Sequence, residues 1–274
     1  MTRYETIEVE VRDHTACVTL NRPEVLNAIN DEMIAELGAV YAEIEGSQDI
    51  WTVIITGAGR ALCVGADVNK AADHDVENAA GIDNQGEPIL SSLRQWDAPQ
   101  EATPPWLQMT KPIICAVNGI ACGAGMDLVT TADITIASER ASLMDPHVSI
   151  GVTSGREGVR LARILPLPMA MRLILMGKHE RLDAQRAYDL GVFTELVAHD
   201  SLMTRAWEIA EIVNSNAPLA VRGSRMAVRK GLTLPIYEAE LLAENYRMKV
   251  ALTKDAIEGP RAFLEKRKAN WQAR

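Results

Sequence analysis

Residues 112–128 read PIICAVNGIACGAGMDL. Ile113–Val117 is a short apolar run of the kind that forms a buried strand. It passes through Asn118-Gly119 into Gly123-Ala124-Gly125, with a helix expected from Met126. Residues 52–67, TVIITGAGRALCVGAD, follow the same plan, leading an apolar strand into a turn of small residues at Val64-Gly65-Ala66-Asp67. Small residues there let a ligand approach the backbone, and a helix start offers unpaired N–H donors with a positive dipole. If two such starts converge, an anionic oxygen can sit between two amides. For either motif alone the plainer reading is stronger: small residues let a helix pack closely on a sheet.

Working outward, Ile7, Val9 and Val11 alternate with charged residues, and a turn at Asp13-His14 leads to a second strand at Ala16–Leu20, which makes a hairpin. Pro23 breaks the pattern. Asn30 is placed to cap a helix whose stripe is Met33, Ile34, Leu37, Val40, Tyr41 and Ile44. Residues from about 69 to 110 carry Gly81, Gly86, Pro88, Pro99, Pro104 and Pro105 with weak periodicity, and a stretch of that length more often serves function than filler. Downstream lie a strand at Asp133–Ala137 and a loop at Leu143–Gly155. A helix at about Pro168–Met176 comes next, then another capped by Asp183, then a strand at Val192–Val197. After residue 200 the pattern is helical only. Strands alternating with helices indicate an α/β fold with parallel pairing, followed by a helical C-terminal part.

The chain has 274 residues, 47% of them apolar, with ample material for a core. Its net charge of −9 argues against a nucleic-acid partner, since that binding needs clustered cations. No apolar run has the length of a membrane span, and MTRYETIEVE lacks the apolar segment of a secretory signal, so a cytoplasmic location is expected. Cys17, Cys63, Cys115 and Cys122 form no C-x-x-C pair and read as reduced structural thiols. His14, His74, His179 and His199 lie in turns or polar stretches and read as solvated; no cluster has metal-ligand spacing, so no metal is expected.

LNRPEVLNAIN (20–30), the two stretches above, the loop ending near Gly151, GKHERLDAQRAYDLGVFTELV (177–197) and FLEKRKANW (263–271) resemble the enoyl-CoA hydratase/isomerase (crotonase) family in order and spacing. The resemblance spans nearly the whole chain and is weakest from about 69 to 110. It implies a spiral of ββα units over residues 1–200 and a helical oligomerisation region over 201–274, in trimers or dimers of trimers. The substrate would be an acyl-coenzyme A thioester with no further cofactor. Its carbonyl would become an enolate held by the amides of Ala66 and Ala124, although the family usually has three glycines where this chain has Gly-Ala-Gly. Coenzyme A contacts are implied at Val64, Ala66 and Val68 toward the adenine and at Glu24 and Val25 over the pantetheine. Phe263 and Lys266 match positions that reach a neighbouring subunit's nucleotide, although Lys266 also reads simply as a basic residue at a helix end.

Hydratases of the family use two glutamates; here the matching positions are Asp127 and His147. Aspartate withdraws the carboxylate by one methylene, and a misplacement near 1 Å can cost about 10²-fold in rate. His147 is suited to proton transfer near neutral pH. Glu157 stands where most relatives have a small residue; it orients His147, substitutes for the absent glutamate, or forms a surface pair with Arg156. Three function classes follow in rank: a hydratase or isomerase of an enoyl-CoA, a hydrolase of a β-diketone carbon–carbon bond or a thioester using His147, and a binding protein or RNA-binding relative without turnover. Retained polar groups at the acid/base positions weigh against the third.

Overall fold

The computed structural model describes residues 4–67 and 104–274. The alternating N-terminus forms strands β1 (Ile7–Arg12) and β2 (Thr15–Leu20), paired antiparallel from Ile7–Leu20 to Arg12–Thr15. Strands β3 (Thr52–Gly57), β5 (Ile113–Val117), β7 (Ile134–Ser138) and β10 (Glu195–Val197) extend this sheet with parallel pairing, in the order β1-β2-β3-β5-β7-β10. A second sheet, β4-β6-β8-β9, is built from Ala61–Cys63, Ile120–Cys122, Ser142–Met144 and Leu182–Asp183. Strands β3, β5 and β7 each hand the chain to a short strand of the second sheet, β4, β6 and β8, and after β6 and β8 a helical segment follows. This is the ββα repeat of a crotonase-like spiral, as expected.

Helix α1 (Asp31–Gly46) is capped by Asn30, whose side chain accepts from Met33 N at 3.0 Å. Its expected stripe is buried except for Ile34, which is 48% exposed. Helix α2 (Pro105–Gln108) lies inside the stretch read as irregular. Helices α3 (Ala124–Thr131), α4 (Arg156–Leu161), α5 (Leu167–Met176) and α6 (Ala184–Asp189) complete the core. Asp183 caps α6 by accepting from Arg186 N at 2.8 Å. The C-terminal region is α7 (Leu202–Asn214), α8 (Pro218–Gly231), α9 (Ile236–Ala251) and α10 (Lys254–Leu264). No helix among the described residues is long and apolar enough to cross a membrane.

Both faces of the central strands are covered, so they read as continuous apolar runs rather than alternating ones. Val53, Ile55, Cys115 and Val117 pack toward α1 and the second sheet, while Ile54, Ile114, Ala116 and Ile136 pack against Leu202, Ala206, Ile209 and Ala210 of α7. All four cysteines are buried and free. Two histidines differ from the solvated reading. The His14 ring stacks on Trp51 at 3.5 Å and bonds Asp49 O, and His199 Nδ1 lies 3.0 Å from Ser138 Oγ. His74 and Val68 lie outside the described residues.

Candidate active site

The two small-residue turns meet. Gly65 and Gly123 adopt φ of +102° and +49°, a region L side chains rarely enter. A Cβ built on Gly65 would stand 3.7 Å from Gly123 Cα and 3.8 Å from Ala124 N. Ala66 bridges in parallel to Ile29, with Ile29 N donating to Gly65 O at 2.8 Å and Asp67 N donating to Ile29 O at 2.9 Å. That pairing uses the groups flanking Ala66 and turns its own N–H toward the opposite side. Ala124 is the first residue of α3, where an N–H has no partner within the helix. The packing explanation for small residues also holds, at the third position: a Cβ on Gly125 would fall 2.2 Å from Cys63 O.

His147 begins a 3-10 turn (His147–Ile150) after β8 and brings its ring to the same place. Its Cε1 and Nε2 would lie 3.4 and 3.6 Å from a Cβ on Gly123. Nδ1 stands 2.6 Å from Asp145 Oδ1, and Nε2 stands 3.2 Å from Glu157 Oε1. Asp145 is fully buried; its Oδ1 also accepts from His147 N at 3.2 Å, and its Oδ2 accepts from Ser154 Oγ. Burial alone pushes the Asp145 carboxyl up, but the bonds from His147 and Ser154 outweigh it and hold the group below the usual carboxylate value. The hydrogen bond to Asp145 raises the His147 imidazole, burial opposes it, and the charges of Asp145 and Glu157 add to the rise, leaving it above its ordinary value.

The structure thus unites Ala66, Ala124, His147 and Glu157. Glu157 is not part of a surface pair with Arg156: it is buried against His147, and Arg156 lies instead 3.9 Å from Asp127. Asp127 is buried too, but its contacts point elsewhere. Oδ2 accepts from Trp106 Nε1 at 3.1 Å, and Arg160 Nε stands 3.7 Å from Oδ1. The partner of the imidazole Nδ1 is Asp145, not Asp127. Asp145 lies in the Leu143–Gly155 loop and drew no role from the sequence, although an Asp two residues before a turn residue readily accepts from that residue's backbone. Trp106 lay in the stretch read as irregular, and only the general need of a buried indole N–H for a partner pointed to it.

Glu24 and Val25 form a short turn (Pro23–Val25), exposed and half-buried respectively. Asn27 holds this loop by donating to Ala58 O and Ala61 O, both at 2.9 Å, and Arg22 ties it to Asp67 at 3.1 Å. The loop therefore lies beside Val64 and Ala66. Phe263 is 84% exposed at the end of α10, and Lys266 is exposed just beyond it.

Comparison with known proteins follows the same lines. The family model described as enoyl-CoA hydratase/isomerase matches residues 10–274. The chain is 33% identical to the short-chain-enoyl-CoA hydratase of Clostridium acetobutylicum, over 95% of each chain. It is 32% identical to the (E)-benzylidenesuccinyl-CoA hydratase of Thauera aromatica, over 95% of this chain and 96% of that one. Among solved structures it is similar to an enoyl-CoA hydratase/isomerase from Mycobacterium paratuberculosis, with 56% identity and a TM-score of 0.85 over 99% of both chains.

Proposed function

This chain belongs to the enoyl-CoA hydratase/isomerase family and is an enzyme of acyl-coenzyme A chemistry, and from that premise we propose that it adds water to a 2-enoyl-CoA through an enolate held between the amides of Ala66 and Ala124. The observation that carries this reading is the meeting of the Gly65 and Gly123 turns with the His147 ring beside them. Polarising the thioester carbonyl draws electrons from Cβ, which opens it to water. A preorganised amide donor acts where the negative charge develops, and removing one such donor typically costs about 10²–10³ in rate.

In this reading Glu24 and Val25 cover the pantetheine while Val64 and Ala66 line the adenine end. Phe263 and Lys266 approach the nucleotide bound by a second copy, which requires a homo-oligomer, a trimer or a dimer of trimers. The apolar surface of the C-terminal helices favours assembly: Ile236 is 76% exposed and Leu252 89%. Light scattering should give a multiple of the 30.0 kDa chain mass; a monomer at micromolar concentration would contradict the oligomer.

The donor at Ala124 gives the direct test. Ala124→Pro removes one N–H and should reduce hydration of short-chain 2-enoyl-CoA thioesters by about 10²-fold or more, whereas Ala124→Gly keeps the donor and should keep turnover. Proline activity near wild type would rule out the two-amide site. A second reading is favoured by the Asp145–His147 pair: a buried carboxylate on an imidazole beside an oxyanion site also suits hydrolysis of a thioester or a β-diketone carbon–carbon bond.

A further inference from the structure

The ring of His147 has a carboxylate at each nitrogen: Asp145 Oδ1 at 2.6 Å from Nδ1 and Glu157 Oε1 at 3.2 Å from Nε2. A neutral imidazole carries one N–H, so it can satisfy only one of these contacts and must turn a lone pair toward the other carboxylate. The imidazolium donates to both. Asp145 is fixed in turn by Ser154 and by His147 N, so the Nδ1 contact is rigid. Asp127, the other acid/base candidate, is bonded to Trp106 and flanked by Arg156 and Arg160.

We propose, resting on the hydratase reading, that His147 works as the imidazolium that protonates Cα, that Glu157 is the base that takes the water proton, and that Asp145 is the positioning residue that holds the ring in that role. As water oxygen bonds to Cβ, its proton passes to the Glu157 carboxylate and the C=C electron pair moves onto the thioester oxygen at the Ala66 and Ala124 amides. The enolate then collapses, and Cα takes the proton from His147 Nε2. One water has been added across the double bond, Glu157 holds one proton more and His147 one fewer. Transfer from Glu157 to Nε2, across the 3.2 Å contact, restores the starting state.

Among the described residues, the other charged groups around the turn are paired elsewhere or exposed. Helix α5, packed on it, carries Arg172, which is paired with Glu180 at 2.9 Å. The neighbouring turn carries Lys178 and His179, both exposed. Helix α4 contributes Arg156 and Arg160 besides Glu157, and both approach Asp127 of α3.

An acid must be protonated to act, so kcat/KM should fall as pH rises through the elevated imidazolium range and not as His147 is protonated. The pH profile of kcat/KM with a short-chain 2-enoyl-CoA would be measured for wild type, Asp145→Asn and Glu157→Gln, together with ring ¹⁵N shifts of His147 in the unliganded enzyme. The wild-type alkaline limb should lie above the ordinary histidine value of about 6.5 and move to lower pH in Asp145→Asn. Glu157→Gln should lose about 10²–10⁴-fold in rate. If Asp145→Asn does not fold, Ser154→Ala keeps the carboxylate, removes one of its donors, and should shift the limb measurably in either direction. A limb unmoved in the folded variant overturns the positioning role. A ring that is neutral throughout the pH range in which the enzyme turns over, or a rate that rises to an alkaline plateau as His147 deprotonates, overturns the acid assignment while leaving the hydratase reading intact. No hydration by the wild type at any pH overturns both.

Discussion

Asp127 shows how burial separates two carboxylates that look alike in sequence. Its Oδ2 is held by the Trp106 indole, and its Oδ1 has no hydrogen bond among the described residues. Trp106→Phe removes the one donor and should lower stability by about 1–3 kcal/mol, because a buried acceptor loses its partner; chemical denaturation would check this. Asp127→Asn preserves the acceptor for Trp106, so its loss of turnover should be smaller than the about 10²–10⁴-fold drop expected when an acid or base is removed. Equal collapse of Asp127→Asn and His147→Ala would return Asp127 to the acid/base pair. Glu157, by contrast, touches the imidazole itself.

Elements carry these residues because neighbouring ends are pinned. Lys111, just before β5, donates to Ile44 O and, at 2.6 Å, to Ser47 O at the end of α1; burial pushes its ammonium down to about 8. Lys111→Met leaves two carbonyls without that donor and should cost about 1–3 kcal/mol, read as a lower denaturation midpoint. Helix α8 is tied to the core by Arg225 and Arg229, which bond Asp133 at 2.6 and 2.8 Å. Strands β3 and β5 and the two turns were legible in the sequence because apolar runs and small residues are local signals. The caps at Asn30 and Asp183 were legible for the same reason. The closure of Glu157 on His147 was legible only as one alternative among others, because it depends on α4 folding back over the turn. The Trp106–Asp127 bond joins residues 21 apart through packing of α2 on α3, which no periodicity announces. Ile34 sat in a helical stripe yet faces outward, since a stripe's edge is set by what packs on it.

At the scale of the molecule, four buried thiols set a pH limit. Burial pushes Cys17 and Cys122 up to about 11, Cys63 up to about 12, and Cys115 higher still. A group whose folded value is raised contributes stability that is complete below its unfolded value and lost as pH rises toward the folded one. Each pH unit above about 9 therefore costs on the order of 1 kcal/mol per thiol, so the loss over four thiols is comparable to a domain's net stability of about 5–15 kcal/mol. Thermal melts from pH 8 to about 11 should show a steep fall in Tm; replacing Cys115 by Ala should flatten it in part, whereas an unchanged slope would place the loss elsewhere. At the proposed site two turns, one imidazole and two carboxylates come together, and the central claim is that water is added to carbon rather than spent on a carbonyl. Incubation with a panel of enoyl-CoA and β-ketoacyl-CoA thioesters in ¹⁸O-labelled water, followed by mass spectrometry, reads that choice directly. The label is expected in a 3-hydroxyacyl-CoA; label in a new carboxylate, with a thioester or carbon–carbon bond broken, would contradict it.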